Sequence, residues 1–384
     1  ERVHPQFESM FAVGVDEMGW DDVNDKNYDW PAPSAVKAYR AKVRQVVDQL
    51  IMSMPLTPSI DWESPWWPIL MGIEHERIHL ETSSVLIRQH DIRYVQPSAN
   101  WRPCQLVNSI APANSLVPIP AFDSVLNKSN YHYGWDNEYG LSNVQCPGFQ
   151  AAKYLTSNAE FLRFVEAGGY QADQYWPEEG LAWKRYSHAE HPEFWVKDGL
   201  SWKLRLMTEE IVMPWSWPVE VNYHEAKAFC LWMATQTGQS VRLPTENEWY
   251  SLYAHAGLSD EHLSSGKHAN LYLDHYASAC PVDAFAHGEL YDVVGNAWQW
   301  TETPIFPYDG FKVHPLYDDF TTPTFDGRHN LIKGGSWIST GNEALKSARY
   351  AFRRHFFQHA GFRYIVTDTP IENNASHYES DKQL

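Results

Sequence analysis

Two kinds of hydrophobic spacing divide the chain. From Ser34 to Ser53 the run SAVKAYRAKVRQVVDQLIMS sets Val36, Tyr39, Val43, Val46, Val47 and Leu50 at helical spacing, and Pro31 and Pro33 stand ahead of it, so one amphipathic helix is predicted there. A second is predicted through MGIEHERIHLETSSVLIRQ, Met71 to Gln89, where Ile73, Ile78, Leu80, Val85 and Leu86 recur and no Gly or Pro interrupts Ile73 to Gln89. Ser64 is placed to cap that helix and Pro65 to occupy its first position. Both read as members of a helical bundle. Periodicity fades from Tyr94 to about Ser115, which reads as a linker. Beyond it come short strand-like runs, LVPIPAF and VRLP, and two clear helices. One is SNAEFLRFVEAGG, with Ser157 as N-cap and Gly168 at its stop; the other runs from Asn222 to Gly238.

Composition narrows the function class. With 384 residues and 43% hydrophobic content the chain has room for two domains with substantial cores. Its 48 acidic against 30 basic residues give a net charge of −18, which repels phosphate backbones and argues against nucleic acid as a partner. Small-molecule substrates fit better. No apolar run approaches the roughly 20 residues that span a bilayer, and the opening ERVHPQFESMF has no signal-peptide core. Cys104, Cys146, Cys230 and Cys280 are scattered without C-x-x-C spacing, as expected of free thiols in a cytoplasmic protein. Eighteen Trp and 21 Tyr cluster in segments such as WDNEYG, MPWSWPVEV and GNAWQWTETP, which predicts a loop-rich domain held by aromatic packing.

The candidate chemistry begins at HERIH. Eighteen histidines produce roughly one H-x-x-x-H pair by chance, so the pair gains weight from its helical context. His75 and His79 lie one turn apart on one face and are placed to share a metal ion. The zinc-hydrolase reading, with Glu76 as base, lacks a third ligand just downstream. Glu81 lies about 200° around the helix from His79, so it is expected to be a supporting acceptor or a structural carboxylate, not a ligand. SARYAFRRHFFQHAGFR concentrates Arg349, Arg353, Arg354 and Arg363, together with the other H-x-x-x-H pair, His355 and His359. Arg353 and Arg354 are the candidates for holding a substrate carboxylate, whereas Arg349 and Arg363 are expected to support loops.

From about Leu116 to Val366, the ordered motifs EFLRFVEAGGY, WPVEVNYHEAKAFCLWM, VRLPTENEWY, GELYDVVGNAWQWTETP, IKGGSW and AGFRYI resemble the formylglycine-generating-enzyme-type, C-type-lectin-like fold. Locally, Thr245 and Glu248 form a predicted capping box, and the glycines of GGSW permit close backbone approach. The cysteine pair that binds copper in formylglycine generators is missing between Gly334 and Gly361, so that activity is not expected.

With HERIHLE ahead of it, the arrangement resembles the non-haem iron sulfoxide synthases of ergothioneine and ovothiol biosynthesis, whose helical half is of the DinB type. FESMFAVGVDEMGWDDVNDKNYDWP and HERIHLETSSVLIRQ look like the ovothiol branch. The resemblance implies an α+β chain. Residues 1–95 would be a DinB-like metal-binding domain, 96–115 a linker, 116–368 the formylglycine-generating-enzyme-like domain and 369–384 a polar tail. It implies iron(II) (Fe2+) held by His75, His79 and a third histidine expected ahead of Glu1, His4 being a poor substitute. It implies oxidative coupling of cysteine to the histidine imidazole with O2, giving 5-histidylcysteine sulfoxide. An active-site tyrosine is expected in the loop after WQWT, where Tyr308 and Tyr317 are the candidates and Phe306 stands where some relatives have Tyr. Asp318 and Asp319 of that loop are candidates for the substrate amine. A methyltransferase domain is expected beyond the C-terminus. The alternatives are an ergothioneine-type enzyme acting on trimethylhistidine, a zinc hydrolase, a DinB-type thiol transferase, and a non-catalytic lectin-like module. The expected site lies at the interface between the two domains, with the arginine pair beside it.

Overall fold

The computed structural model describes residues 2–11, 30–263, 267–318 and 320–367. Three helices come first: α1 (Pro5–Phe11), α2 (Pro33–Ser53) and α3 (Trp67–Gln89). Helix α2 covers the predicted span. Helix α3 starts later than Ser64 and Pro65 suggest, with Pro68 in its first turn. Ser64 instead makes the turn that leads in: its hydroxyl accepts from the Trp66 amide at 3.3 Å and its carbonyl from the Trp67 amide at 2.9 Å.

Among the described residues, α1 and α2 do not show the burial expected of a packed bundle. Phe7 of α1 meets Tyr39 of α2 edge-on at 5.5 Å, but no described residue of α1 or α2 is buried. His4 serves α1 itself, its Nδ1 accepting from the Phe7 amide at 3.2 Å. Most of FESMFAVGVDEMGWDDVNDKNYDWP, the polar tail and Asp319 lie outside the described residues. None of the described helices is long and apolar enough to cross a membrane.

From Leu116 onward short strands alternate with helices. The first half contains β1 (Leu116–Ile119), β2 (Phe122–Asn127), β3 (Leu141–Cys146), β4 (Phe149–Ala152), α4 (Asn158–Glu166), α5 (Glu178–Ser187), β5 (Trp195–Asp198), β6 (Ser201–Arg205), β7 (Glu210–Val212) and α6 (Tyr223–Thr237). The second half contains β8 (Ser240–Arg242), α7 (Glu246–His255), α8 (Asp260–Leu263), β9 (Ala286–His287), β10 (Leu290–Tyr291), β11 (Trp298–Pro304), β12 (His329–Lys333), β13 (Tyr350–Arg353), β14 (Ala360–Gly361) and β15 (Ile365–Thr367). The strands form one sheet in the order β1-β4-β15-β8 and another in the order β13-β12-β11-β14, with β5-β6-β7 and two hairpins beside them. Pairing is antiparallel except between β11 and β14.

The caps at Ser157 and Thr245 are those the sequence predicts, and Asn222 adds a third. Ser157, Asn222 and Thr245 each accept from the amide three residues on, and Glu225 and Glu248 complete capping boxes. The core is aromatic: Trp217, Trp249, Trp300, Phe161, Phe164 and Phe362 are fully buried.

Candidate active site

Helix α3 is built inside out. Its buried side chains after Trp67 are Glu74, Glu81, Ser84, Val85 and Arg88, while Ile73, Leu80 and Leu86 are exposed. Glu74, Glu81 and Arg88 recur every seven residues, so they form one stripe along the helix. That stripe docks on the second domain, where every charge meets a partner.

The Glu81 carboxylate accepts from Trp298 Nε1 at 2.5 Å, Ser336 Oγ at 3.0 Å and Ser339 Oγ at 2.9 Å. Burial pushes its proton affinity up, against the pull of nearby His359 and these three donors. Glu74 accepts from the Asn342 amide at 3.0 Å and pairs with Arg77. Gly341 makes that approach possible: its φ is +59°, and a Cβ there would lie 1.6 Å from the Arg77 guanidinium. Further along, Ser84 Oγ and His359 Nε2 are 2.7 Å apart, His359 Nδ1 lies 3.2 Å from Glu220, and Glu220 pairs with Arg88 at 2.7 Å. Arg205 closes the helix end by donating to the carbonyls of Arg88 at 3.2 Å and His90 at 3.1 Å. The second H-x-x-x-H pair is thus divided, with His359 an interface residue and His355 exposed.

This clamp fixes where the first histidine pair points. The His75 and His79 rings stand 4.5 Å apart, nearly perpendicular at 89°. Tyr317, from the loop after β11, lies 5.9 Å from the His75 ring. Its other ring neighbours are Trp135 at 6.1 Å and Phe320 at 5.2 Å. Burial, and then the neighbouring His79, pull the His75 proton affinity down, which favours the neutral, metal-binding imidazole. The pair therefore fits as two nitrogen ligands of an open metal site. Among the described residues no group of three or more His, Cys, Asp or Glu completes a ligand set.

The other expected residues go elsewhere. Tyr308 is buried, donates to Glu246 at 3.1 Å, and lies under the Arg349 guanidinium at 3.8 Å. Burial and Glu246 raise its proton affinity well above the ordinary tyrosine range. Arg354 is occupied by Glu179 at 2.5 Å, Asn330 at 2.8 Å and the Gly327 carbonyl at 2.8 Å, none of them on α3. Arg353 acts on Asp326 and His355. The arginine pair is thus not gathered beside the histidines as the sequence suggests. Side chains alternate along β13, and it is Tyr350 and Phe352 that face α3. With Trp298 and Gln358 they line a narrow cleft against Ile78, Glu81 and Thr82. The period of two in YAFR was the available signal for Tyr350 and Phe352. Arg349 and Arg363 support loops as expected: Arg349 binds Glu246 and the Asn137 carbonyl, and Arg363 the Ala152 carbonyl.

Residues 111–368 match the family model described as the sulfatase-modifying factor enzyme 1-like domain. Among curated proteins, a hercynine oxygenase of Mycolicibacterium smegmatis is 27% identical over 352 residues, covering 85% of this chain and 76% of that protein. Ergothioneine biosynthesis protein 1 of Schizosaccharomyces pombe is 26% identical over 251 residues, 64% of this chain but 28% of that protein. A formylglycine-generating enzyme of Bos taurus is 28% identical over 59% of this chain and 67% of its own length.

Proposed function

Because the chain belongs to the sulfatase-modifying factor enzyme 1-like family, we propose that it is an O2-dependent oxidoreductase of the sulfoxide-synthase type that joins cysteine to the imidazole carbon of histidine, giving 5-histidylcysteine sulfoxide. The observation that carries the reading is the meeting of His75, His79 and Tyr317 where α3 is clamped to the second domain. Relatives named for hercynine oxygenation and ergothioneine biosynthesis support the reaction class.

In this proposal His75 and His79 hold iron(II) with a third ligand from outside the described residues. Iron bound there would supply the redox capacity to use O2 and a position for the cysteine sulfur. The balance is one thiol, one imidazole C–H and one O2 giving one C–S bond, one S=O and one water. Four electrons leave the two substrates and reduce O2, one of its oxygens remaining on sulfur. The protein's own part is placement and proton handling. Tyr317 is placed to exchange a proton with the joining atoms, while Trp135 and Phe320 shield its ring from water. Glu81 holds the helix turn that carries His79.

The test is aerobic incubation of the iron-loaded protein, in its full natural length, with cysteine and histidine, followed by mass analysis. The expected product has the summed mass of both amino acids, less two hydrogens and plus one oxygen. Absence of that product with histidine would sink the proposed substrate assignment. Its appearance with trimethylhistidine alone would select the ergothioneine-type reading, which the 85% coverage by a hercynine oxygenase favours as the second choice.

A further inference from the structure

A second cleft, of about 260 Å³, opens between residues 100–102 and residues 273–277. Its walls are tied together, since the Ala277 amide donates to the Arg102 carbonyl at 2.8 Å and the Cys104 amide to Ser278 Oγ at 2.8 Å. Its rim is strained: Tyr272 and Leu273 are consecutive non-glycine residues with φ of +63° and +60°. Such conformations cost free energy and persist where the surroundings enforce them. Here the enforcing bonds are the Tyr272 amide to the Ser339 carbonyl at 3.2 Å and the Leu273 amide to the Trp337 carbonyl at 3.0 Å.

The chemistry of the lining is unusual in one respect. Arg102 and Asp274 are exposed charges of opposite sign on one cleft, and among the described residues neither makes an ion pair or a side-chain hydrogen bond. Trp101, packed edge-on against Trp337 at 5.8 Å, also lines the cleft. The site therefore offers a cation and an anion, with Leu273 and Ala277 as apolar wall.

We propose that this cleft binds a free α-amino acid as its zwitterion. The carboxylate is met by Arg102, the ammonium by Asp274, and the aliphatic part by Leu273 and Ala277. The volume suits a ligand of that size, and the inference rests on the cleft alone, independently of the reaction proposed above. It also has a route to the reaction site, because the strained amides bind the segment 337–339, next to the serines that hold Glu81.

The test is calorimetric titration of the metal-free protein carrying His79→Ala with L-histidine, L-cysteine and L-leucine, and with propionate and ethylamine as half-ligands. At least one amino acid is expected to bind saturably with one site per chain. Adding Arg102→Ala or Asp274→Asn, both at exposed positions that leave the fold intact, should weaken it about tenfold or more. Hydrogen exchange at the Tyr272 and Leu273 amides should slow on binding. No heat from any amino acid at millimolar concentration, unchanged affinity in both variants, or equal binding of a half-ligand would overturn the proposal.

Discussion

Tyr317 and Tyr308 show how far environment separates two residues of one type in one loop. Tyr317 lies beside His75, whereas Tyr308 is held by Glu246 and Arg349. Tyr317→Phe is expected to lower formation of the coupled sulfoxide by about 100-fold or more, the scale of a lost acid–base group, with iron content and thermal midpoint unchanged. Tyr308→Phe should do the reverse, costing about 1.5–3 kcal/mol in urea unfolding for a lost bond to a buried carboxylate while turnover persists. Equal effects of the two on turnover would remove the distinction. The start of α6 holds a second testable pair. Burial raises Glu225 to about 8 against the opposing bonds from Tyr170 and Asn222, and lowers His224 to about 4. For Glu225 the folded state binds the proton more tightly than the unfolded state, whose value is near 4.5, so stability falls as pH rises from about 4.5 to about 8. For His224 the unfolded state, near 6.5, binds the proton more tightly, so stability falls as pH drops from about 6.5 to about 4. The two slopes oppose each other between about 4.5 and 6.5, so urea midpoints should be level there and fall above about 6.5, and Glu225→Gln should remove the alkaline fall. An alkaline slope that survives in Glu225→Gln would assign it to another group.

At the scale of elements, what is local in α3 was legible and what is tertiary was not. Its existence, its end at Gln89 and the shared face of His75 and His79 follow from periodicity alone. Which face is buried does not: Ile73, Leu80 and Leu86 read as a core stripe, yet they are exposed, and Glu74, Glu81 and Arg88 are buried instead. The reason is that the partners of Glu81 are Trp298, Ser336 and Ser339, more than two hundred residues along the chain, and no helical window contains them. The capping residues Ser157 and Thr245 were legible because each bonds to an amide three residues away. The same contrast explains the arginines, since four in one segment suggest an anion site, but Glu179 of α5, which occupies Arg354, is remote in sequence. Gly341 tests the element-level account of α3. With φ at +59° and the Arg77 guanidinium where a Cβ would stand, Gly341→Ala must strain the loop and displace Arg77 from Glu74. A loss of about 1–3 kcal/mol in urea unfolding is expected. Faster amide exchange around Glu74 should accompany it; a neutral substitution would mean that the loop does not grip the helix.

For the whole molecule, the clamp makes α3 part of the second domain's cooperative unit rather than of the segment it follows in sequence. Three donors on Glu81, the Ser84–His359–Glu220–Arg88 chain and Arg205 at the helix end leave no buried charge of α3 unmet, and breaking one partner of such a set exposes the rest to unpaired burial. Helix α2, with no buried residue, has no comparable tie. A ligand that binds only the folded helix should therefore stabilise the second domain as well, because the two cannot unfold separately without abandoning the shared bonds. Anaerobic iron(II), added to the full-length protein at about a hundred times its dissociation constant, is expected to stabilise the main unfolding transition by about 2.7 kcal/mol. His79→Ala should abolish the shift while melting at the same temperature as the metal-free parent, since His79 is exposed and outside the clamp. Loosening the clamp with Glu81→Ala should leave metal-induced protection confined to α3 in hydrogen exchange, with the core around Trp217 and Trp300 no longer responding. If the core's exchange slows with iron equally in the parent and in Glu81→Ala, the coupling runs through some contact other than this interface.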